Sequence, residues 1–535
     1  MKHSISFLLI AFMTGLIFSD CARRGRPEGG PKDEDAPIMV TAKPPYLTTN
    51  FKEKEIRIYF DEYIKLKDLQ KQLIVSPPLK YQPVIIPLGM PGKYISIKIS
   101  DTLRENTTYT FNFGQSVIDN TEGNVLRNFK YVFSTGDVID SLEVSGSVRD
   151  AFEREADKNI VVMLYEYNEP FNDSIVYKEK PYYVGSTLDT TTWSITNIKG
   201  GKYFMVALKD VDNNYMFNPK TDKIAFLDQA VTIPGDSSLV LNLFREKIPF
   251  QADRASELAK GHLLVGFKGS KDSIEVSPLN EGPDFKGMFV MQQGKDSLDY
   301  WFQNNKADSI ALKIKRAELV DTLLVKLRAK NVDSLGINSS VKGILDLRDT
   351  LWLYGNIPLV AIDTSKVNFM DSDSARIGYR PVLRNSTERN GVAFHFDKKY
   401  NTKYKLKIYP QAITDFFGNS NLDTLNYSFS TKGPADYGNV YLTLQNVASY
   451  PIIVQLLKDK GEIVESVYAN EAREFRFLNL VPAKYRIRVI YDANKNHSWD
   501  TGNFLLKRQP EKVVYYPDVI DVRANWEMTE TFVLE

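Results

Sequence analysis

The sequence predicts an all-β chain that is built as a series of β-sandwich domains. Aromatic residues make up 12% of the chain, with 29 Tyr and 30 Phe, and this composition favours strands over helices. Short segments alternate apolar and polar residues, as at Ile95, Ile97 and Ile99, which is typical of strands with one solvated face. A length of 535 residues exceeds what one hydrophobic core supports, so we expect several domains.

Charge, cysteine content and the absence of catalytic motifs argue against several functional classes. Lys and Arg total 68 and Asp and Glu total 67, so there is no net field to attract nucleic acid. The single cysteine, Cys21, allows no disulfide within the chain. The four histidines, His3, His262, His395 and His497, are dispersed without zinc-ligand spacing, and G-x-S-x-G, P-loop and dinucleotide motifs are absent. We therefore predict a protein that is not an enzyme and requires no cofactor.

The N-terminus carries a short basic start, an apolar run over Ser4 to Phe18, and Cys21 shortly after it. The run is shorter than the roughly 20 residues that a membrane-spanning helix needs, and is typical of a signal-peptide core. Cys21 after this run resembles the lipobox of bacterial lipoproteins, although Phe18 and Asp20 differ from the preferred residues. The resemblance implies a lipoprotein signal peptide at 1–20 and lipidation of Cys21. The alternative is cleavage elsewhere, with Cys21 an incidental thiol.

Residues 21–36 are rich in Gly, Pro and charge and have nothing to bury, so we predict a flexible tether. Several acyl chains on Cys21 would hold the protein permanently in a membrane. We therefore expect an outer-membrane, lipid-anchored protein. Whether it faces the periplasm or the cell surface is left open by the sequence.

A first internal repeat relates residues 37–137 to residues 340–433. Both copies share a Tyr that opens one strand, an Asp…Gly-Asn turn and a closing Phe-Ser-Thr. The matching positions are Asn106 and Asn401, Tyr109 and Tyr404, Asp119 and Asp415, Gly123 and Gly418, and Phe133 and Phe429. This pattern resembles the bacterial Ig-like domain of the SbsA type, which implies a spacer or adhesive sandwich. A short helical stretch is predicted near Leu66 to Leu73.

A second repeat relates residues 140–247 to residues 436–535. Trp193 to Ile198 aligns with Phe475 to Leu480, and a Lys-Tyr pair and an Asp-x-Asp/Asn-x-Asn sequence follow at the same distances. The order resembles transthyretin-like sandwiches, such as Cna-B and carboxypeptidase regulatory domains. In those families such modules support and space other domains, so no active site is implied.

Residues 250–336 contain four short strand-like runs that begin at His262, Ser297, Ser309 and Thr322. They predict a further Ig-like sandwich. Within this segment a helix is predicted only at Arg254 to Lys260.

One loop carries a candidate metal site. Side-chain oxygens recur at alternate positions after a strand, which is how a short loop surrounds Ca²⁺. The candidate calcium ligands are Asp492, Asn494, Asn496, Ser498, Asp500 and Asn503. With only two carboxylates, any structural calcium would bind weakly, on the order of 10⁻⁴–10⁻³ M. The equal alternative is a metal-free loop that is held by Asx turns, with Trp499 packed beneath it. A shorter version at Asp210, Asp212 and Asn214 favours the metal-free interpretation.

These features predict a structural or interaction arm that is anchored by its N-terminal lipid. We expect a protein partner, namely an outer-membrane β-barrel or its assembly or export machinery, and no nucleic acid. The first alternative is a glycan-binding or adhesion module, for which several of the five tryptophans should cluster on one open face. The second is an enzyme hidden in residues 250–433, which would need a deep pocket with convergent carboxylates or a histidine.

Overall fold

A computed structural model describes residues 32–168, 172–235, 238–269, 274–279, 282–292, 294–304, 307–316, 319–386 and 389–534. The predicted signal peptide, Cys21 and most of the tether lie outside the described residues. The chain divides into two compact units. The first comprises Met1–Val144, Pro181–Leu188 and Ser194–Gly201, and the second comprises Ser145–Lys180, Asp189–Trp193 and Lys202–Glu535.

The first unit contains a two-sheet sandwich. Its elements are β1 (Met39–Lys43), β2 (Glu55–Leu66), α1 (Leu69–Gln72), β3 (Ile74–Ser76), β4 (Val84–Ile86), β5 (Gly92–Lys98), β6 (Thr108–Asn112), β7 (Val117–Asp119) and β8 (Lys130–Ser134). One sheet has the order β1-β2-β5-β4, with β7 also on β2, and the other has the order β3-β6-β8. Ile56, Ile95, Phe111 and Phe133 are fully buried in the core. The predicted helical stretch is confirmed as the short α1.

The chain continues through β9 (Leu142–Asp150), β10 (Val161–Glu166), α2 (Ile175–Lys178), β11 (Tyr183–Ser186), β12 (Thr192–Ile198), β13 (Gly201–Lys209), β14 (Lys223–Phe226), β15 (Val231–Ile233) and β16 (Leu239–Leu243). In the second unit β13 lies between β10 and β14, both antiparallel to it. β15 also pairs with β13, and β16 runs parallel to β9.

A further sandwich follows, with β17 (Gln251–Ala259), β18 (His262–Lys268), β19 (Glu275–Pro278), β20 (Lys286–Met291), β21 (Ser297–Gln303), β22 (Ser309–Arg316) and β23 (Leu319–Lys326). Its sheets are β17-β18-β21-β20 and β19-β22-β23, so the four strand-like runs are confirmed as strands. The helix predicted at Arg254 to Lys260 is wrong. Arg254 to Ala259 lie in β17 and Lys260 lies in the turn after it, because antiparallel pairing with the apolar β18 outweighs the local helix propensity of Ala, Glu and Leu.

The next segment holds β24 (Ile337–Ser339), β25 (Gly343–Ile344), β26 (Leu351–Gly355), β27 (Leu359–Ile362), a 3₁₀ turn (Thr364–Lys366), β28 (Val367–Asp371), β29 (Tyr379–Ser386), β30 (Arg389–Phe396), β31 (Lys403–Ile408), β32 (Ile413–Asp415) and β33 (Leu425–Ser430). Its main sheets are β24-β26-β30-β29 and β25-β33-β31-β28, and β27 pairs with β32.

The last sandwich begins with a 3₁₀ turn (Pro434–Asp436) and contains β34 (Gly438–Gln445), β35 (Ile452–Lys458), β36 (Ile463–Ala469), β37 (Glu474–Leu480), β38 (Ala483–Tyr491), β39 (Val513–Tyr515), β40 (Ile520–Val522) and β41 (Glu527–Val533). Its sheets are β37-β34-β41 and β36-β35-β38-β39, with β40 on β38. The two copies of the second repeat share a parallel pair, β9–β16 and β34–β41.

The first repeat is visible in its hydrogen bonds. The Tyr109 hydroxyl accepts from the Arg104 N–H, and the Tyr404 hydroxyl accepts from the Lys399 N–H, both at 2.8 Å. Thr135 Oγ1 accepts from the Thr107 N–H at 3.0 Å, as Thr431 Oγ1 does from the Thr402 N–H at 3.1 Å. The same local bonds close the same corner of each sandwich. The predicted all-β class, with Ig-like sandwiches in tandem, is therefore confirmed.

Candidate functional site

The candidate calcium loop begins directly after β38. Asp492 is fully buried, and its two carboxylate oxygens accept hydrogen bonds from the N–H groups of Asn496 (3.1 Å) and His497 (2.9 Å). Lys495 and His497 have φ angles of 62° and 65°, so the chain curls around the Asp492 side chain. Asp492 therefore caps this turn with both of its oxygens.

The other predicted ligands bond mainly to one another. Asn494 and Asn496 each donate a side-chain amide hydrogen bond to Oδ2 of Asp500. The Ser498 hydroxyl donates to Asn496 Oδ1 at 2.8 Å. Asn503 lies in a separate turn, where its Oδ1 accepts from the Leu506 N–H at 2.9 Å. The structure thus groups these predicted ligands with the exception of Asn503.

Glu511 is a member of this cluster that the sequence pattern did not reveal. Its two oxygens accept from the N–H groups of Ala493 (2.8 Å) and Asp500 (3.0 Å). Glu511 stands beyond the alternating motif, just after Pro510, so no spacing rule marks it. Glu511 therefore links the end of the loop to its beginning at Ala493 and its middle at Asp500.

We call the two predicted domains of the second repeat, residues 140–247 and 436–535, modules. Asp500 connects the loop, which belongs to the later module, to Lys247 at the end of the earlier one. Its Oδ1 accepts from Lys247 Nζ at 2.9 Å. Burial acts to raise the pKa of Asp500, but hydrogen bonds from Lys247, Asn494 and Asn496 outweigh it, so the pKa is lowered. The carboxylate is therefore held in its charged form by a lysine from another module.

We define the clasp loop as residues 492–512 and the receiving core as the buried cluster of Met163, Tyr165, Val176, Phe204, Val206, Leu208, Phe217, Ile224, Phe226 and Phe244. Phe504 of the clasp loop is fully buried within the receiving core. Its ring centroid lies 5.4 Å from that of Phe226 and 6.0 Å from that of Phe204. Two modules that are far apart in sequence thus share one hydrophobic cluster.

Polar contacts surround the inserted phenylalanine. The Phe504 N–H donates to Glu246 Oε1, and the Thr501 hydroxyl donates to the Arg245 carbonyl, both at 2.6 Å. Lys507 Nζ donates to Asp173 at 2.7 Å and lies 4.5 Å from the Phe204 ring centroid. Such hydrogen bonds satisfy groups that the contact removes from water.

A second patch lies beside the loop. The rings of Trp499 and Phe152 are 4.5 Å apart, and the Arg488 guanidinium lies 4.2 Å from the Phe152 ring centroid. The Tyr515 hydroxyl donates to the Phe152 carbonyl at 2.9 Å. Gly502 packs so tightly that an added Cβ would lie 2.6 Å from the Phe244 ring. Trp499 is therefore packed against another module, whereas the sequence predicted only that it lies beneath its own loop.

The shorter predicted site sits after β13 and has the same turn. Asp210 Oδ2 accepts from the Tyr215 N–H at 2.7 Å, and Asn214 Oδ1 accepts from the Met216 N–H at 2.7 Å. Asn213 and Tyr215 have positive φ angles, as their counterparts in the clasp loop do. Asp212 is exposed. Sequence reasoning missed Asp222, which closes this loop and is 1% exposed.

The histidines of the described residues lie in separate places. His262 Nε2 is 2.8 Å from Asp299 Oδ1, and its ring stacks on Trp301 at 3.6 Å. His395 is exposed on β30, as its alternating pattern predicted. His497 stacks on Tyr468 at 3.8 Å. In the part of the chain that the structure describes, no three His, Cys, Asp or Glu side chains form a metal-binding group.

The two alternative functions each predicted a feature of the surface. For an enzyme in 250–433, the structure offers a cavity of about 420 Å³ lined by Arg380, His395, Asp397 and Lys398 among others. It places His395 beside one carboxylate, Asp397, so the histidine that this alternative called for is present but several convergent carboxylates are not. For glycan binding, the tryptophans do not share an open face. Trp193, Trp301 and Trp352 are buried, Trp499 packs on Phe152, and Trp526 is 49% exposed.

No helix within the described residues has the length and apolar character needed to cross a membrane. Residues 33–135 match the bacterial Ig-like domain family. This match agrees with the Ig-like resemblance of the first predicted domain. No curated protein matches the chain.

Among solved structures, the S-layer protein rSbsC is 11% identical, with 91% of this chain and 67% of that chain covered and a TM-score of 0.14. The TIE protein of Bacillus anthracis is 11% identical, with 95% and 76% covered and a TM-score of 0.15. BcpA, the major pilin subunit of Bacillus cereus, is 9% identical, with 74% and 99% covered and a TM-score of 0.14. Scores this low carry no information about function or partners.

Proposed function

We propose that this protein is a non-enzymatic, lipid-anchored arm of the bacterial outer membrane that docks a membrane protein. The N-terminal apolar run and Cys21 support the anchor. The bacterial Ig-like family match supports a structural or interaction role. The partner we propose is an outer-membrane β-barrel protein or its assembly or export machinery.

The clasp loop is the observation that carries the proposal. A chain of sandwiches joined only by short linkers bends at each linker, because interfaces between neighbouring domains are small. Phe504 instead fills part of the receiving core, and the Lys247–Asp500 ion pair and the Trp499–Phe152 contact flank it. Modules locked together in this way present loops and strand edges in a fixed arrangement, which lowers the entropic cost of binding a partner.

The anchor is tested by mass spectrometry of the mature N-terminus. We expect an acylated Cys21 as the first residue, and we expect the Cys21→Ser chain to leave the membrane fraction. An unacylated mature N-terminus would exclude the lipid anchor. Protease treatment of whole cells would then report which leaflet carries the protein.

Docking is tested by affinity purification of the full chain from cells at native expression in mild detergent. We expect a stoichiometric membrane protein to be recovered with the wild type. A Phe504→Ala chain should keep its anchor and lose most of this partner, whereas the matched Leu505→Ala chain should retain it, because Leu505 is 60% exposed. Recovery of the wild-type chain alone would contradict the docking role.

A further inference from the structure

The loop from Asp210 to Asp222 buries two carboxylates side by side. Asp210 is 7% exposed and Asp222 is 1% exposed. Asp222 Oδ1 accepts from the N–H of Val211, the residue that follows Asp210, at 3.1 Å. Asp222 Oδ2 also accepts from the Asn218 N–H at 2.8 Å, so Asp222 bonds to the backbone on both sides of the Asp210 turn.

One carboxylate oxygen in this loop is left without a partner. Oδ2 of Asp210 accepts from the Tyr215 N–H, but Oδ1 is buried and has no hydrogen-bond partner among the described residues. Burial raises the pKa of Asp210 and the charge of Asp222 raises it further, whereas the nearby backbone N–H groups of Tyr215 and Asn214 act to lower it. A buried, unpaired carboxylate oxygen is costly and needs an explanation.

The lysines that adjoin this loop bind elsewhere. Lys209 Nζ donates to the Lys158 carbonyl. Lys223 Nζ forms ion pairs with Asp150 and Asp157, both at 2.7 Å. Lys220 lies within the loop but forms no ion pair with either carboxylate among the described residues, so no lysine side chain neutralises Asp210 or Asp222 there.

We propose that the loop 210–222 binds one Ca²⁺ ion, with the unpaired Oδ1 of Asp210 as a ligand. The oxygens at the first, third, fifth and seventh positions of the loop are Asp210, Asp212, Asn214 and the Met216 carbonyl, which is the spacing that calcium loops use. Since no three His, Cys, Asp or Glu side chains converge among the described residues, the remaining ligands are amide and carbonyl oxygens. An all-oxygen set of this kind suits a hard cation.

The clasp loop is the matched comparison, because it begins with the same turn. Both oxygens of Asp492 already accept backbone hydrogen bonds, and Asp500 is paired with Lys247. From the sequence alone, calcium and a metal-free turn were equal alternatives at the clasp loop, whereas the metal-free turn was favoured at the shorter loop. In the structure the carboxylates of Asp492 and Asp500 already have partners, whereas Oδ1 of Asp210 has none among the described residues. We therefore place the ion in the shorter loop, after β13.

The test is calcium titration of the chelator-treated full chain by calorimetry, with terbium luminescence as a second readout. We expect one site with a Kd on the order of 10⁻⁴–10⁻³ M, the range of extracellular calcium modules. Asp210→Asn should weaken binding by at least about tenfold, since each 1.4 kcal/mol is tenfold in affinity. Asp212→Ala should also weaken binding, and because Asp212 is exposed this variant should fold as the wild type does. Asp492→Asn is the control and should leave the affinity unchanged.

Three results would overturn the proposal. They are no calcium binding in the millimolar range, unchanged binding in both Asp210→Asn and Asp212→Ala, or loss of binding in Asp492→Asn alone. Thermal unfolding with and without calcium gives an independent readout. The wild type should gain stability with calcium by mass action, and Asp210→Asn should not.

Discussion

The loops after β13 and β38 begin alike and end differently. Each opens with a buried Asp whose carboxylate accepts backbone hydrogen bonds from the following turn, and each has two positive φ angles at the same positions. The first loop closes at Asp222, twelve residues after its start. The second extends to Glu511 and sends Phe504 into the receiving core. The two loops therefore share an opening turn and differ in the residues that follow it.

The difference shows which part of a sandwich domain can vary in length and sequence, namely the loops between strands. The strands of both copies must keep their alternation to bury a core, whereas a connecting loop can lengthen at little entropic cost. In the clasp loop the added residues bury an aromatic side chain in another module. In the shorter loop the original turn retains an unpaired carboxylate oxygen at Asp210.

The largest expected effect comes from removing the inserted ring. Phe504→Ala should destabilise the second unit by about 3–5 kcal/mol, because it leaves a cavity among the aromatic rings of the receiving core. Urea unfolding at constant ionic strength measures this loss. The control is Leu505→Ala, which changes an exposed side chain in the same loop and should stay within about 0.5 kcal/mol of the wild type. Equal losses in both variants would mean that the contact contributes no specific packing.

The next largest effect is a difference in stability between substitutions of the two aspartates that cap the turns, Asp492 and Asp210. Asp492→Asn should cost roughly 1–3 kcal/mol in chelator, because one of the two acceptor oxygens becomes an NH₂ group, which cannot accept, and the N–H of Asn496 or His497 is left unsatisfied. Asp210→Asn should cost less, since its amide nitrogen can take the place of the unpaired Oδ1. Thermal unfolding of both variants in chelator compares them directly. A larger loss for Asp210→Asn would reverse the contrast between the loops.

The Lys247–Asp500 ion pair should contribute less to the free energy of unfolding. A double-mutant cycle with Lys247→Met and Asp500→Asn should give a coupling of about 1 kcal/mol or less, because the lysine is half exposed and solvent screens the pair. The pKa of Asp500 is lowered in the folded protein, so its contribution is present above the unfolded pKa and lost as pH falls through the folded pKa.

The pH dependence of stability distinguishes the contribution of the Lys247–Asp500 pair from general acid unfolding. The stability difference between the wild type and Asp500→Asn should be constant near neutral pH and should shrink below about pH 4, near the ordinary pKa of an aspartate. A difference that stays constant to lower pH would show that the Asp500 charge does not stabilise the clasp.

The smallest effect concerns the backbone of the turn itself. Lys495→Gly should stabilise the protein by up to about 1 kcal/mol, because Lys495 has a φ of 62° and glycine adopts this region without a side-chain clash. The matched change Asn213→Gly should be close to neutral, since asparagine tolerates the left-handed region. Thermal unfolding should rank the two variants in this order, and the opposite ranking would show that the turn is not strained at Lys495.

Much of the fold was readable from local patterns. Alternation predicted the strands that begin at His262, Ser297, Ser309 and near Thr322, and the repeated Tyr and Asp positions predicted the matching corners of the two Ig-like modules. The helix at Arg254 to Lys260 failed because local propensity cannot weigh the pairing partner that β18 provides. The candidate site was located only in part, since Glu511 and Asp222 lie outside the alternating motifs.

The sequence by itself determined the all-β class, the internal repeats and the two turns rooted at Asp210 and Asp492, because these depend on neighbours within about a dozen residues. Only the tertiary structure decided that Phe504 enters the receiving core and that Lys247 reaches Asp500. Contacts between modules that are far apart in the chain depend on the shape and charge of two finished surfaces, and no local periodicity encodes that match.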